Sequence, residues 1–300
     1  MTRPIAPSSE KVSPEREAVS FSLSDIPAIN ELLEPMSNQY SKVNDRKIRR
    51  LYLQASMQQW FAPKRINFET DISLEPEERR VWIRLMHVFY TLEKMGLNVI
   101  GNMMPKAVHK LRSEEASYYL SAQCFDEARH VFTIENYLKK LGSPPSYHWK
   151  YHVLGQIASM GAYRVENWLF STLFSENFAS AFLRRAKNAK IDPIGAEMCR
   201  NLQLDESRHL HFLHIVLPDL LDRLSLFGRS YVKASQFFIM KLTEKWACSL
   251  EADVEIVGLD RRAILEEVFE NIERAYESFG VTRDYLYFPK ITGSSYTHAH

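Results

Sequence analysis

Two five-residue words, Asp126-Glu127-Ala128-Arg129-His130 and Asp205-Glu206-Ser207-Arg208-His209, constrain this chain more than any other feature. Each holds a Glu-x-x-His pair inside a stretch of helical character. An α-helix turns once in about 3.6 residues, so positions i and i+3 share a face. Each word therefore aims a carboxylate and an imidazole at one point. The two words stand far apart in the chain, yet their Asp and Arg flanks match. A lone Glu-x-x-His is most often an exposed or salt-bridged pair. Two matched copies, each preceded by glutamates set in an apolar helix, are much harder to reach by chance.

The rest of the chain reads as helix. Residues 1–22 carry three prolines and scattered charges and are expected to be a loose tail. Short helices are expected at 25–37 and 44–59, then an ordered, non-helical connection from Trp60 to Asp71. A first long helix starts at Glu75-Pro76-Glu77-Glu78, where proline and acids suit a helix N-terminus, and ends near Met104 before Pro105. A second spans 113–141 and stops at Gly142-Ser143-Pro144-Pro145. A third spans 149–189 with a kink. Asp192-Pro193 opens a fourth that reaches Pro218 or beyond, and two more follow at 228–257 and 260–280. No strand is expected. The domain reading is a single helical unit over 23–284, with an irregular tail over 285–300.

Glu93 sits after the apolar run Val88-Phe89-Tyr90-Thr91-Leu92, where an unpartnered carboxylate would be costly to bury. The chain between Glu93 and Glu127 is long enough for one antiparallel hairpin, and a turn near Pro105 would bring both to one height. Glu93, Glu127 and His130 then form one half-site. The other needs a carboxylate on the third helix beside Glu206 and His209. Glu176 precedes Glu206 by an interval close to that between Glu93 and Glu127; Glu166, further upstream on the same helix, is the alternative. Hairpin levels repeat in bundles, which favours Glu176. Ser180, one turn further on, would point a hydroxyl at the same cavity. Four carboxylates and two imidazoles suit two iron ions, with manganese able to replace one or both, and leave coordination positions open for dioxygen. Asp126 and Asp205 are placed to accept from the ligand histidine of the opposite helix, with Arg129 and Arg208 pairing those aspartates.

The bulk numbers exclude several classes. The 38 basic and 37 acidic residues leave a net charge of +1, which gives no reason to expect nucleic acid or an anionic membrane as partner. No run of about 18 uncharged apolar residues marks a membrane span. Cys124, Cys199 and Cys248 form no CxxC pair, and the segment from Met1 to Ser20 lacks an apolar signal core, so a reduced cytoplasm is expected.

At these residues the chain resembles the ferritin-like di-iron oxygenase and oxidase superfamily, over about 60–215. The Leu204–His209 word is similar to that of bacterial multicomponent monooxygenases. Asp192-Pro193 followed by the second word resembles acyl-carrier-protein desaturases. The segment from Trp60 to Glu93 resembles ribonucleotide reductase small subunits, and the doubled word resembles arylamine N-oxygenases. The resemblance implies an all-α fold, a ferritin-like four-helix bundle with additional N- and C-terminal helices, and dioxygen activation at a di-iron centre. Departures matter too. The radical tyrosine of reductase subunits would fall at position 134, which is Ile; an extra ligand histidine of some N-oxygenases would fall at 202, which is Leu. Ser180 matches a hydroxyl residue of the monooxygenases.

The expected function is a non-heme di-iron oxygenase that hydroxylates or N-oxygenates a mostly apolar or aromatic small molecule. A di-iron desaturase or reductase-like oxidase is one alternative, and a non-catalytic iron-binding bundle another. No flavin or nicotinamide fingerprint is visible, so electrons come from an external ferredoxin or reductase. A bundle of this size often forms a homodimer through an outer helix face. Among other residues, Trp60 has packing and electron-relay readings, with packing favoured; His211 and His214 read as surface or outer-sphere groups and Cys124 as small core. Phe170, Phe174, Phe178 and Phe182 form a packing stripe, and Tyr90 and Met86 are pocket candidates.

Overall fold

The computed structural model describes residues 29–33, 42–145, 164–249 and 251–280, and all regular structure among them is helical. In chain order these are α1 (Ile29–Leu32), α2 (Lys42–Met57), α3 (Ala62–Arg65), α4 (Pro76–Leu111), α5 (Glu115–Lys140), α6 (Val165–Ala186), α7 (Pro193–Asp222), α8 (Leu226–Ser249), α9 (Glu251–Ile256) and α10 (Arg261–Ser278). The tails expected at 1–22 and 285–300, and the first part of the third long helix, lie outside the described residues.

Three of the helices start where local chemistry satisfies free N–H groups. At α4, Glu75 and Glu78 form a capping box with Pro76 in the first turn. At α7, the Asp192 carboxylate accepts from the backbone N–H of Ile194 and Gly195 at 3.0 and 3.1 Å, again with proline in the first turn. Asp260 caps α10 through the Ala263 N–H at 3.0 Å.

The expectation that Pro105 ends the first long helix is corrected: α4 continues to Leu111 with Pro105 inside it, and α7 likewise runs through Pro218. A proline removes one N–H and crowds the carbonyl four residues back. Those positions are Gly101 and His214, and both are exposed, so water can reach the released carbonyl. The α4–α5 turn therefore lies at Arg112-Ser113-Glu114, with Arg112 in the left-handed region at φ 55°. The connection after Trp60 is also corrected, because it contains the single-turn α3.

Helices α4 and α5 pair, as do α6 and α7, and these four make the central bundle; α5 and α7 also touch, as do α4 and α6. Helix α2 lies across α5 and α7, whereas α8 and α10 cover α6 and α9 braces α4. One apolar core runs through all of these layers. Trp82 is fully buried against Phe182, and its indole donates to the Lys190 carbonyl at 2.6 Å, which ties α4 to the loop before α7. Phe89 stacks on Phe182 with centroids 4.6 Å apart, a contact class that adds about 0.5–1.5 kcal/mol beyond area burial. No described helix is long and apolar enough to cross a membrane.

The α7 start is packed tightly. A Cβ at Gly195 would lie 2.5 Å from the Tyr137 hydroxyl and from Ile191 Cδ1, while Tyr137 donates to the Asp192 cap carboxylate. Gly195→Ala is expected to destabilise the fold by about 1–3 kcal/mol through overpacking. In thermal unfolding this lowers Tm by roughly 2–4 °C per kcal/mol; an unchanged Tm would show that the cap yields freely.

Candidate metal centre

The two words lie on facing helices, α5 and α7, and their side chains turn into the bundle. Glu127, His130, Glu206 and His209 are buried, as are Glu93 on α4 and Glu176 on α6. Ligand atoms of Glu93, Glu127 and His130 fall within 4.8 Å of one another, and so do those of Glu127, Glu176 and His209. Glu127 belongs to both groups.

Distances to the imidazoles divide the four glutamates into two kinds. Glu93 Oε2 lies 3.2 Å from His130 Nδ1, and Glu176 Oε2 lies 3.5 Å from His209 Nδ1. Glu127 and Glu206 face both rings. Glu127 stands 3.9 Å from His130 Nδ1 through Oε2 and 3.6 Å from His209 Nδ1 through Oε1. Glu206 stands 3.4 Å from His130 Nδ1 through Oε1 and 3.0 Å from His209 Nδ1 through Oε2. The sequence reading, which divided the ligands into two separate half-sites, did not anticipate this shared pair. The imidazole centroids are 6.0 Å apart.

Glu166 lies elsewhere. Its carboxylate meets Lys110 Nζ at 2.9 Å and Arg164 at 3.3 Å, and it joins neither group. Those cations bring its carboxyl below the ordinary range although burial acts the other way. Ser180 is buried one turn beyond Glu176. His211 and His214 are exposed, Cys124 is half-buried, and Phe170, Phe174 and Phe182 pack in the core.

Behind the histidines lies a carboxylate–guanidinium layer. The His130 Nε2 atom sits 3.0 Å from Asp205 Oδ2, and His209 Nε2 sits 3.5 Å from Asp126 Oδ2, each on the opposite helix. Arg129 donates to Asp126 and, at 2.7 Å, to Asp205; Arg208 donates to Asp205 and, at 3.2 Å, to Asp126. This crossed square is nearly closed to solvent. With each Nε2 turned to an aspartate, each Nδ1 points into the glutamate cluster.

The end of α2 completes the layer, a role the sequence reading missed. Gln59 accepts from Arg129 and donates to Asp126 at 3.2 Å, and Gln58 accepts from Arg208 at 3.1 Å. Trp60 donates its indole N–H to Asp205 at 2.9 Å beneath the Arg129 guanidinium, 4.7 Å from the ring centroid. Trp60 thus packs on the core and also joins a polar chain to His130. Polar residues at the tail of a predicted amphipathic helix gave no sign of this contact. Tyr119 was likewise unforeseen: it stacks on Phe212 at 4.5 Å, and its buried hydroxyl has no hydrogen-bond partner.

Charge crowding governs the protonation of the cluster. Burial raises the Glu127 carboxyl well above the ordinary carboxylate range, and Glu93, Glu176 and Glu206 push it the same way. Burial, then Glu176 and Glu93, do the same to Glu206. Burial would lower His130, but Asp205 and Glu93 outweigh it and raise its pKa well above an ordinary imidazole. Burial likewise opposes the charge on His209, and Glu176, Asp126 and Glu206 outweigh it and raise its pKa. Burial also opposes ionisation of Glu176, yet Glu206 and His209 bring its carboxyl below the usual range.

The donor set fits two divalent ions. The buried Glu206 Oε1 has no hydrogen-bond partner, the ring Nδ1 atoms and carboxylates converge, and oxygen-rich sites with one imidazole per ion suit iron or manganese. Gly96 of α4 packs against Glu127, and a Cβ there would crowd Oε2 at 3.3 Å.

A family model described as P-aminobenzoate N-oxygenase AurF matches residues 75–285. Among solved structures, a variant of an R2-like ligand-binding oxidase with an anaerobically reconstituted Mn/Fe cofactor is 17% identical with TM-score 0.62, covering 79% of this chain and 93% of that one. Another variant, with an aerobically reconstituted Fe/Fe cofactor, is 14% identical with TM-score 0.56 at the same coverage. A Synechococcus protein with aldehyde deformylating oxidase activity is 20% identical with TM-score 0.58, covering 69% of this chain and 93% of that one. No curated protein matches. At these identities the likeness is one of fold, a ferritin-like helical bundle.

Two measurements test the ligand set. Glu127→Ala and Glu206→Ala are each expected to lose most of the iron that the parent holds by elemental analysis, whereas Glu166→Ala keeps it; equal loss in all three would remove the assignment. Binding must also displace the protons held by Glu127, Glu206, His130 and His209. Anaerobic ferrous titration in weak buffer is expected to release protons, with affinity rising with pH. Loading with no proton release would contradict the protonation described.

Proposed function

This chain belongs to the P-aminobenzoate N-oxygenase AurF family, an oxidoreductase family, and we propose from that membership that it oxidises the nitrogen of an aromatic amine with dioxygen. Glu93, Glu127, His130, Glu176, Glu206 and His209 would hold two iron ions, with manganese able to take a place. Bound there, the ions would supply the electrons and Lewis acidity that activate dioxygen. The observation that carries the reading is the buried cluster itself, four glutamates and two inward Nδ1 atoms with Glu127 and Glu206 facing both rings.

The chain's own groups have separable tasks. Asp126 and Asp205 orient the histidines; against burial, His209 and then Arg129 keep Asp126 ionised, and His130, then Arg208 and Arg129, keep Asp205 ionised. Apolar neighbours keep bulk water from the cluster, which strengthens every charge interaction inside it. The missing side chain at Gly96 lets α4 sit close against the Glu127 carboxylate. One oxygen atom would enter an N–H bond of the substrate and the other would leave as water, so two electrons per insertion must come from an external donor. The chain from half-buried Trp60 through Asp205 to His130 supports entry of those electrons on the α2 side. A homodimer is proposed from the apolar side chains that α8 exposes, Leu226, Phe227 and Phe238.

One observation favours a second reading. Where some N-oxygenases carry an extra ligand histidine, this chain has Leu202, fully buried in the core. With six protein ligands, oxidation at carbon, as in hydroxylation, is the competing outcome. The iron-loaded protein, given chemical reductant, labelled dioxygen and p-aminobenzoate, is expected to yield hydroxylamino or nitro product carrying the label by mass spectrometry. Label on ring carbon with the amine intact would replace the first reading with the second, and absence of labelled product across a panel of arylamines would reject the first.

A further inference from the structure

Outside the bundle core, α2 and α7 leave a cleft of about 490 Å³ between them. The helices run antiparallel there, since Gln58 meets Arg208 and Trp60 meets Asp205 while Leu51 shares the cleft with Ile215. Its floor is aliphatic, with Leu51 and Ile215 buried. Its walls carry two cations, Lys47 and Arg50 from α2, and two imidazoles, His211 and His214 from α7. None of the lining residues is acidic.

This concentration of charge is local, because the whole chain is nearly neutral. On the inner face of α2 the charges are matched: Arg49 binds Glu115 and Asp45 accepts from Ser113. On the cleft face, Lys47 and Arg50 are exposed and make no hydrogen bond or ion pair among the described residues. Two obligate cations facing one cavity repel each other mildly and leave donors unused. A ligand that carries two negative charges and several acceptor oxygens reverses both effects.

We propose that the α2–α7 cleft binds a small phosphate monoester, with Lys47 and Arg50 holding the phosphate and the ester's apolar body lying on Leu51 and Ile215. A phosphate monoester carries close to two negative charges at neutral pH, which matches the two cations; a single carboxylate leaves one unmatched. The volume lies in the range of small-molecule sites, roughly 300–1,000 Å³. His211 and His214 add ring N–H donors from the opposite wall. The site is separate from the metal cluster: Glu206 and His209 are buried, whereas His211 and His214 leave α7 on its exposed face. Bound there, the ligand bridges the helix that leads into Gln58 and Gln59 to the helix that carries Asp205 and Arg208.

Calorimetric titration of the full-length, iron-loaded protein with adenosine 5′-monophosphate, inorganic phosphate and adenosine tests this. The monophosphate is expected to bind saturably at one site per chain, more tightly than phosphate alone, and adenosine is expected not to bind. Lys47→Ala combined with Arg50→Ala is expected to weaken the monophosphate at least about tenfold. Lys139→Ala, which removes an exposed lysine at the far end of α5, is expected to leave it unchanged. Lys47→Glu provides a second variant should the double change disturb folding, and it also weakens binding. The inference is overturned if the monophosphate does not bind, if adenosine binds as well as the monophosphate, or if the Lys47 and Arg50 variants bind like the parent. None of these results bears on arylamine oxidation, which is read separately from product.

Discussion

Four glutamates buried within a few ångströms of one another are the constraint on which the rest of this structure depends. The aspartates nearby are balanced by Arg129 and Arg208, and the glutamates face no arginine or lysine in the ion pairs of the cluster. Their counter-charge must therefore come from protons or from metal ions. Without ions, protons shared among Glu127, Glu206, His130 and His209 relieve the repulsion, which is why carboxyl and imidazole pKa values rise together. Two divalent cations supply the same four charges and leave both Nδ1 atoms free to coordinate. A buried like-charge cluster would be strongly destabilising for an apolar bundle with no such exchange available.

Much of this was legible because helix geometry converts spacing into direction. The two Glu-x-x-His words fix which faces of α5 and α7 look inward, and the flanking Asp and Arg fall where they can cross to the opposite helix. The choice between Glu176 and Glu166 came from hairpin level. In the structure Glu176 stands beside His209, whereas Glu166 finds Lys110 and Arg164 roughly three turns away. That choice assumed a turn near Pro105, whereas the first hairpin turns later and α4 runs on to Leu111.

Other features were hidden for physical reasons. Pro105 and Pro218 read as helix stops, but each sits where the crowded carbonyl belongs to an exposed residue, and burial cannot be read from one sequence. Gln58, Gln59 and Trp60 look like the polar fraying end of a short helix. Their partners, Asp126, Asp205, Arg129 and Arg208, lie 67 to 150 residues away along the chain, and the contact exists only once α2 has crossed α5 and α7. The sharing of Glu127 and Glu206 between both rings was also out of reach, since residue spacing gives a direction along a helix and no side-chain rotamer.

The same layering separates what the family fixes from what this chain chooses. The crossed Asp–Arg square is built from side chains of both words, so it comes with the ligands and says little about substrate. Positions one turn from a ligand carry more. Leu202 lies one turn before Glu206 and is packed in the core, so a seventh protein ligand cannot reach the cluster from that point. Gly96 lies one turn beyond Glu93 and lets α4 pack closely on Glu127, where a Cβ would stand 3.3 Å from Oε2. One position withholds a donor and the other allows close packing on a ligand. The α2 side holds the histidines in place and carries the half-buried Trp60. That division explains why the two words identify a di-metal oxidoreductase so readily and leave its substrate to residues that carry no motif at all.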